Sequence, residues 1–264
     1  MIEEPYRWVE AIANRREYIE DQLARGSPIL LMRYADGLLL LTVSRETQKI
    51  FEVYDRIGLA ALGHPADIER MRLAAIDLAH VEGFNRAVAD VSLRRLVNFG
   101  LSPALKTAFE QIYQPPFIVK LLLAELGDSP ALDWVVKLDY DGSFGRGGED
   151  GRETFHVLAG TAAAEQHMMR FLMEHDDRPD RELDDAVRLA ARAWAVGMYF
   201  AEKGREHAGE EEAQLPAGFD AARSLREHLR LRHVEAAVLD RTTRSANRYR
   251  RLDERELRGM LKDL

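Results

Sequence analysis

A lysine at the head of an apolar strand pattern is the residue in this chain best placed to do chemistry. Lys49 opens Lys49-Ile50-Phe51-Glu52-Val53-Tyr54. Alternation puts Lys49, Phe51 and Val53 on one face, with Ile50, Glu52 and Tyr54 on the other. A cation in that setting needs a route to water or an anionic partner, for which Glu46 and Glu52 are the neighbours in sequence. Other chemistries are poorly served. Cysteine is absent, which removes disulfides, thiolate metal sites and a cysteine nucleophile. His167, His175, His207, His228 and His233 fall on separate elements, without the i, i+4 pairing beside an acid that a metal site uses. No metal and no cofactor is therefore expected. Gly145-Arg146-Gly147-Gly148-Glu149-Asp150-Gly151 lacks the Gly-Lys-Ser/Thr ending of a phosphate loop, and no helix follows it, so it reads as a flexible hairpin extension.

The elements that must position Lys49 follow from periodicity. Val9–Ala24 carries Val9, Ile12, Ala13, Tyr18, Ile19 and Leu23 at helical spacing, a narrow apolar stripe that invites packing against a neighbouring subunit or against its own sheet. Gly26-Ser27-Pro28 ends it. Ile29–Tyr34 and Leu38–Val43 form a hairpin about Ala35-Asp36-Gly37, and Lys49–Tyr54 pairs with Ile57–Leu62 across Asp55-Arg56. The near-continuous apolar runs in these strands imply that both faces are covered. Two helices follow, Pro65–Ala87 and Asp90–Ile112, the second N-capped by Asp90 and kinked near Gly100 and Ser102-Pro103. Strands are expected at Phe117–Leu126, Trp134–Tyr140 and Thr154–Ala159, then helices at Ala162–His175 and Arg181–Met198. Residues 202–224 read as a solvated insertion, and Arg223–Arg232 and Arg241–Arg251 as basic solvated or ring-contact faces. Val234–Asp240, Tyr249–Leu252 and a helix over Glu254–Leu264 close the chain.

Strands in succession separated by helix pairs make this an α+β protein. The simplest arrangement is a four-layer αββα sandwich, two antiparallel sheets flanked by helices with an extra N-terminal helix, all in a single domain over 1–264. The net charge of −8 argues against a dedicated nucleic-acid binder. No apolar run approaches a membrane span, and the start Met-Ile-Glu-Glu-Pro is unlike a secretory signal, so a cytoplasmic location is expected.

The pattern as a whole resembles a proteasome-type subunit of the N-terminal nucleophile hydrolase superfamily. Gln48-Lys49-Ile50-Phe51-Glu52-Val53-Tyr54-Asp55-Arg56-Ile57-Gly58 followed by Ala60-Ala61-Leu62-Gly63 is similar to the Lys-Ile…Asp-Arg-Ile-Gly…Ala-Ala-x-Gly stretch of actinobacterial proteasome alpha subunits. Val234-Glu235-Ala236-Ala237-Val238-Leu239-Asp240 with Tyr249-Arg250-Arg251-Leu252 is similar to their late strands. Gly26-Ser27 after a helix and before an Asp-Gly turn, Tyr140-Asp141-Gly142-Ser143 and Ala159-Gly160-Thr161 add to the likeness, which spans residues 5 to 260.

The resemblance sets two roles against each other. Active members of the superfamily expose a nucleophile at the start of the first strand; here that position is Ser27, after Gly26, with Lys49 matching the catalytic lysine. The supporting acid of the second strand is replaced by Val43. The Arg-Asp-x-x-Ser-Gly pattern has become Arg192-Ala193-Trp194-Ala195-Val196-Gly197, so Ala193 and Val196 stand in for the acid and the serine. The retained helix before Ser27 is also an alpha-type trait. The resemblance therefore implies a non-catalytic structural subunit of a threonine-protease complex. Copies of it would form a heptameric ring on beta-type subunits, and Pro5, Tyr6, Arg7 and Trp8 in a tail over 1–8 would gate the passage of unfolded proteins. Lys49 would receive the C-terminal carboxylate of a ring-shaped ATPase activator. The alternatives are a serine hydrolase freed by cleavage after Gly26, using Ser27 and Lys49, and a stand-alone peptide-binding ring.

Overall fold

A computed structural model describes residues 4–147, 153–175, 180–203, 215–216, 218–262 and 264. Its ten strands and eight helices run α1 (Glu4–Leu23), β1 (Ile29–Tyr34), β2 (Gly37–Ser44), β3 (Ile50–Tyr54), β4 (Ile57–Gly63), α2 (Pro65–Asn85), α3 (Leu93–Leu96), α4 (Ser102–Glu110), β5 (Val119–Glu125) and β6 (Trp134–Leu138). Then come β7 (Phe144–Gly147), β8 (Phe155–Leu158), α5 (Ala162–His175), α6 (Leu183–Lys203), α7 (Ala221–His228), β9 (His233–Asp240), β10 (Tyr249–Arg251) and α8 (Glu254–Met260). The strands make two five-stranded sheets, ordered β10-β9-β2-β1-β8 and β3-β4-β5-β6-β7, and every pairing is antiparallel.

Period-2 alternation explains the four layers. In β1, Ile29 and Leu31 face the second sheet while Leu30 and Met32 face the helices; in β2, Leu38 and Leu40 point inward and Leu39, Leu41 and Val43 outward. The inner core therefore joins Ile29, Leu31 and Leu40 to Ala60, Leu62 and Leu122 of the facing sheet. One outer core packs β1 and β2 under α5 and α6, and the other packs β4 and β5 under α2, α3 and α4. This is the αββα sandwich that the doubly apolar strands imply. Among the described residues no helix is long and apolar enough to cross a membrane.

Several local expectations are revised. The first helix starts earlier than Val9: α1 begins at Glu4, with Pro5 in the first turn, where its missing N–H costs no helical bond, and residues 1–3 of the expected tail are outside the described residues. The stripe of α1 is used at home, because Ile19 and Leu23 are buried and Ile12 half-buried in the inner core. Arg15 clamps the same helix by donating to the carbonyl of Ala108 in the last turn of α4 at 2.9 Å and to that of Ile112 just past it at 3.4 Å. Asp90 lies in a short 3-10 turn, and Ser92 precedes α3 instead. The expected kink is a π-turn over Val97–Leu101. The glycine-rich hairpin begins with an edge strand, β7, while its tip at 148–152 is outside the described residues. Of the expected insertion, 202–203 finish α6, 204–214 and 217 are outside the described residues, and 221–224 open α7. That helix hid in a charge-dense run. Asp220 caps it by accepting from the amides of Ala222 and Arg223, and only Ala221 and Leu225 anchor it to the core.

Candidate functional site

The cleft that holds Lys49 lies at the end of the sandwich where β1, β3, β5 and β9 begin and β2 and β4 finish. Its volume is about 640 Å³, and its walls come from the end of α1, the β2–β3 loop, the end of β4 and the C-terminal turn of α6. The chain enters from α1 through Arg25-Gly26-Ser27. A Cβ on Gly26 would sit 2.6 Å from the Leu62 Cγ, so only glycine lets this turn pass beneath β4. Gly63, which lines the cleft, has a φ of +146° and a carbonyl, that of Ile118, where a Cβ would stand.

Ser27 is buried, and its hydroxyl has both roles filled. Its Oγ donates to the carbonyl of Val43 at 2.6 Å and accepts from the Trp194 indole Nε1 at 2.9 Å. A carbonyl cannot take the proton, and an indole N–H can only donate. The Ser27 nitrogen stays in its amide with Gly26. Beside it, the Thr42 hydroxyl donates to the carbonyl of Pro28 at 2.6 Å, closing this corner.

Lys49 is not part of β3 but the last residue of the loop before it. The Glu235 carboxylate fixes its backbone. Lys49 N lies 3.1 and 3.0 Å from the two carboxylate oxygens, and Ile50 N donates to Oε1 at 2.9 Å. The Ser44 hydroxyl adds a 3.4 Å bond to Oε2. The lysine side chain goes the other way. Its Nζ reaches the Ser27 carbonyl at 3.4 Å, a long contact. Among the ion pairs of the described residues Lys49 has no carboxylate within 4 Å, so neither Glu46 nor Glu52 is its partner. Glu52 instead accepts from Asn247 on the far side. Burial pulls the ammonium down to about 8, with Glu235 opposing and Arg232 adding to the depression. Strand alternation also fails downstream of it, since a bulge between Glu52 and Tyr54 turns Tyr54 towards the same core as Val53.

Comparison with known proteins bears on what such a site is for. No family model matches the chain. Curated relatives do: proteasome subunit alpha of Streptomyces coelicolor is 30% identical over 96% of this chain and 87% of the relative. That of Kineococcus radiotolerans is 30% identical over 96% and 94%, and that of Streptomyces griseus 29% over 96% and 82%. The chain belongs to the proteasome alpha-subunit family.

In this alpha-type chain the fold gathers Ser27, Val43, Lys49 and Trp194 of the sequence-derived set in one place. Ala193 and Val196 are fully buried in the outer core of α6, where neither can act on Ser27 as an acid or a hydroxyl would. Arg7 and Trp8 are elsewhere, on the first turns of α1, with Trp8 half exposed. The helical rise puts Trp8 roughly 20 Å along the axis from Gln22 at the cleft. Sequence reasoning missed Glu235. Its signal was present, as one carboxylate inside the apolar run Val234–Leu239, a placement that demands buried donors.

Proposed function

We propose that this chain is a non-catalytic alpha-type subunit that forms a ring with copies of itself, caps beta-type subunits of a self-compartmentalised protease, and docks the C-terminal tails of an activator in the Lys49 cleft. The observation that carries the reading is the division of labour between Ser27 and Lys49. Ser27 keeps its amide and spends its hydroxyl on a carbonyl and an indole, so it has no base. Lys49 spends its backbone on Glu235 and leaves its ammonium at a cleft wall beside Leu23, Pro65 and Met198. A cation above an apolar wall suits a peptide that ends in a hydrophobic residue and a free carboxylate. Gating belongs to the same reading. The first turns of α1, with Arg7 and Trp8, would sit at the axial opening through which unfolded chains pass, in the cytoplasm.

Docking is tested with a fluorescent peptide ending Leu-Tyr-Leu, as free acid and as amide, titrated against the assembled chain. The acid is expected to bind more tightly than the amide, and Lys49→Met to reduce acid binding by about tenfold, the value of one charge-assisted contact. Equal binding of acid and amide would remove the docking role. Intact mass checks the catalytic side, and a product lacking residues 1–26 would reverse it. For the gate, deleting residues 1–6 in a particle with active beta-type subunits is expected to raise basal peptide hydrolysis.

A further inference from the structure

We infer that Arg232 is a second anion-binding side chain of the Lys49 cleft, so that the cleft grips one carboxylate, or an equivalent oxyanion, with two cations rather than one. The inference rests on the docking reading of the cleft. Arg232 precedes β9 and lines the same cleft as Lys49. Its side chain is only 13% exposed. Its guanidinium nevertheless has little to hold: a weak 3.7 Å contact to the Met198 sulfur, a 3.9 Å approach to the half-exposed Glu202 carboxylate, and the face of Trp194 at 5.9 Å. An arginine offers five donors in a planar fork. Among the described residues no oxygen accepts a hydrogen bond from any of them, so the fork is open to an oxyanion that enters the cleft.

The surrounding charge has the matching bias. Arg25 from the end of α1, Arg45 from the β2–β3 loop, Lys49 and Arg232 line the cleft, against Glu202 from α6. His233 contacts Ser44, and His228 of α7 stands against Glu202. Glu235 is committed to amides and the Ser44 hydroxyl. Burial is the main cause that lowers the proton affinity of both Lys49 and Arg232; Glu235 and Glu202 oppose it, while Arg232 adds to the depression of Lys49 and Arg45 to that of Arg232. Mutual repulsion of this kind is relieved by an oxyanion placed between the cations. Arg232 also keeps its charge at any working pH, whereas Lys49 titrates near 8. Two cations thus make docking robust where one would fade in mild alkali.

The test titrates the Leu-Tyr-Leu acid peptide and, separately, inorganic phosphate against the assembled full chain at pH 7 and pH 9.5. Arg232→Gln is expected to weaken the peptide about tenfold at pH 7. At pH 9.5 the wild type should fall to the level of Lys49→Met, which keeps the arginine and changes little between the two pH values, whereas Arg232→Gln should lose binding altogether. Glu202→Gln, which changes an exposed residue, should tighten the peptide about threefold by freeing the guanidinium, and it serves if Arg232→Gln does not fold. Wild-type affinity of Arg232→Gln for both ligands, or with Glu202→Gln no tightening, overturns the inference. Phosphate bound through Arg232 with no peptide binding would sink tail docking and leave the two-cation site standing. Binding of neither ligand ends both.

Discussion

The two ends of the sandwich each bury charge, and they do so to opposite effect. At the end opposite the Lys49 cleft, Asp133 is completely inaccessible and lies between two arginines, Arg33 from β1 and Arg241 after β9. Its Oδ1 accepts from the Gly127 amide at 2.9 Å and from Arg241, while Arg33 Nε approaches Oδ2 at 3.5 Å. Arg241 returns to the Gly127 carbonyl at 3.2 Å, so acid, cations and loop backbone close on one another. The Lys49 end has the same ingredients, a buried acid and several cations. There the acid, Glu235, is turned onto the backbone, and Lys49 and Arg232 line an open cleft. A buried acid that draws arginines and loop backbone onto itself fastens loops; cations along the wall of a cleft leave their charge within reach of whatever enters it.

Removing the acid at the closed end should produce the largest effect. Asp133→Asn removes the fully buried carboxylate that Arg33 and Arg241 both face and is expected to destabilise the chain by about 3–5 kcal/mol. At the scale of this chain that is a fall of roughly 10 °C in Tm, read by calorimetry. Deleting the cation at the open end should do the reverse. Lys49 carries a burial penalty with no paired acid within 4 Å, so Lys49→Met is expected to leave Tm unchanged or raise it while binding of the acid peptide falls about tenfold. The sign can be followed with pH. The folded lysine binds its proton less tightly than the unfolded one, so the wild type should gain stability relative to Lys49→Met as pH rises from about 8 towards the ordinary 10.5. A large loss of Tm in Lys49→Met would make the two ends alike and break the comparison.

Glu235 sharpens it further, because it belongs to the open end yet does structural work. Glu235→Gln keeps the shape but presents an amide nitrogen to at least one of two amide donors that now share a carboxylate. A loss of about 1–3 kcal/mol follows from leaving such a donor unpaired. The β2–β3 loop would then hold Lys49 less firmly, and peptide affinity should fall severalfold with a fast-exchanging loop visible by amide hydrogen exchange at Lys49 and Ile50. Lost stability with unchanged affinity would show that Lys49 is placed by its own side chain instead.

These contrasts also explain what could be read from the sequence. β1 and the helix over Ala162–His175 have the bounds that their apolar patterns give, because buried strands and one-stripe helices write their burial into local spacing. The Ser27–Lys49 pairing was accessible through the spacing of the family-like motif. The partners that decide its meaning were not. Glu235 meets Lys49 across 186 positions and Trp194 meets Ser27 across 167, and no period or propensity encodes which distant donor an isolated acid finds. Helix α7 was lost for a related reason: two anchors, Ala221 and Leu225, are too few to show as a stripe among charges.

The smallest expected effect concerns the border of the closed network. His156 of β8 is buried and paired in register with Leu31, two residues from Arg33. Burial first, then the charges of Arg33 and Lys137, push its proton affinity down to about 4. Its Nδ1 lies 3.3 Å from the Glu153 carboxylate. In the unfolded chain the same imidazole takes up its proton near 6.5. Between 6.5 and about 4 the unfolded state therefore binds more protons, and stability falls as pH falls, by at most about 3 kcal/mol. His156→Phe, which keeps the ring and removes the titration, should flatten that limb in denaturant titrations from pH 7 to pH 4. If wild type and variant lose stability in parallel over that window, the acid sensitivity of this end does not come from His156.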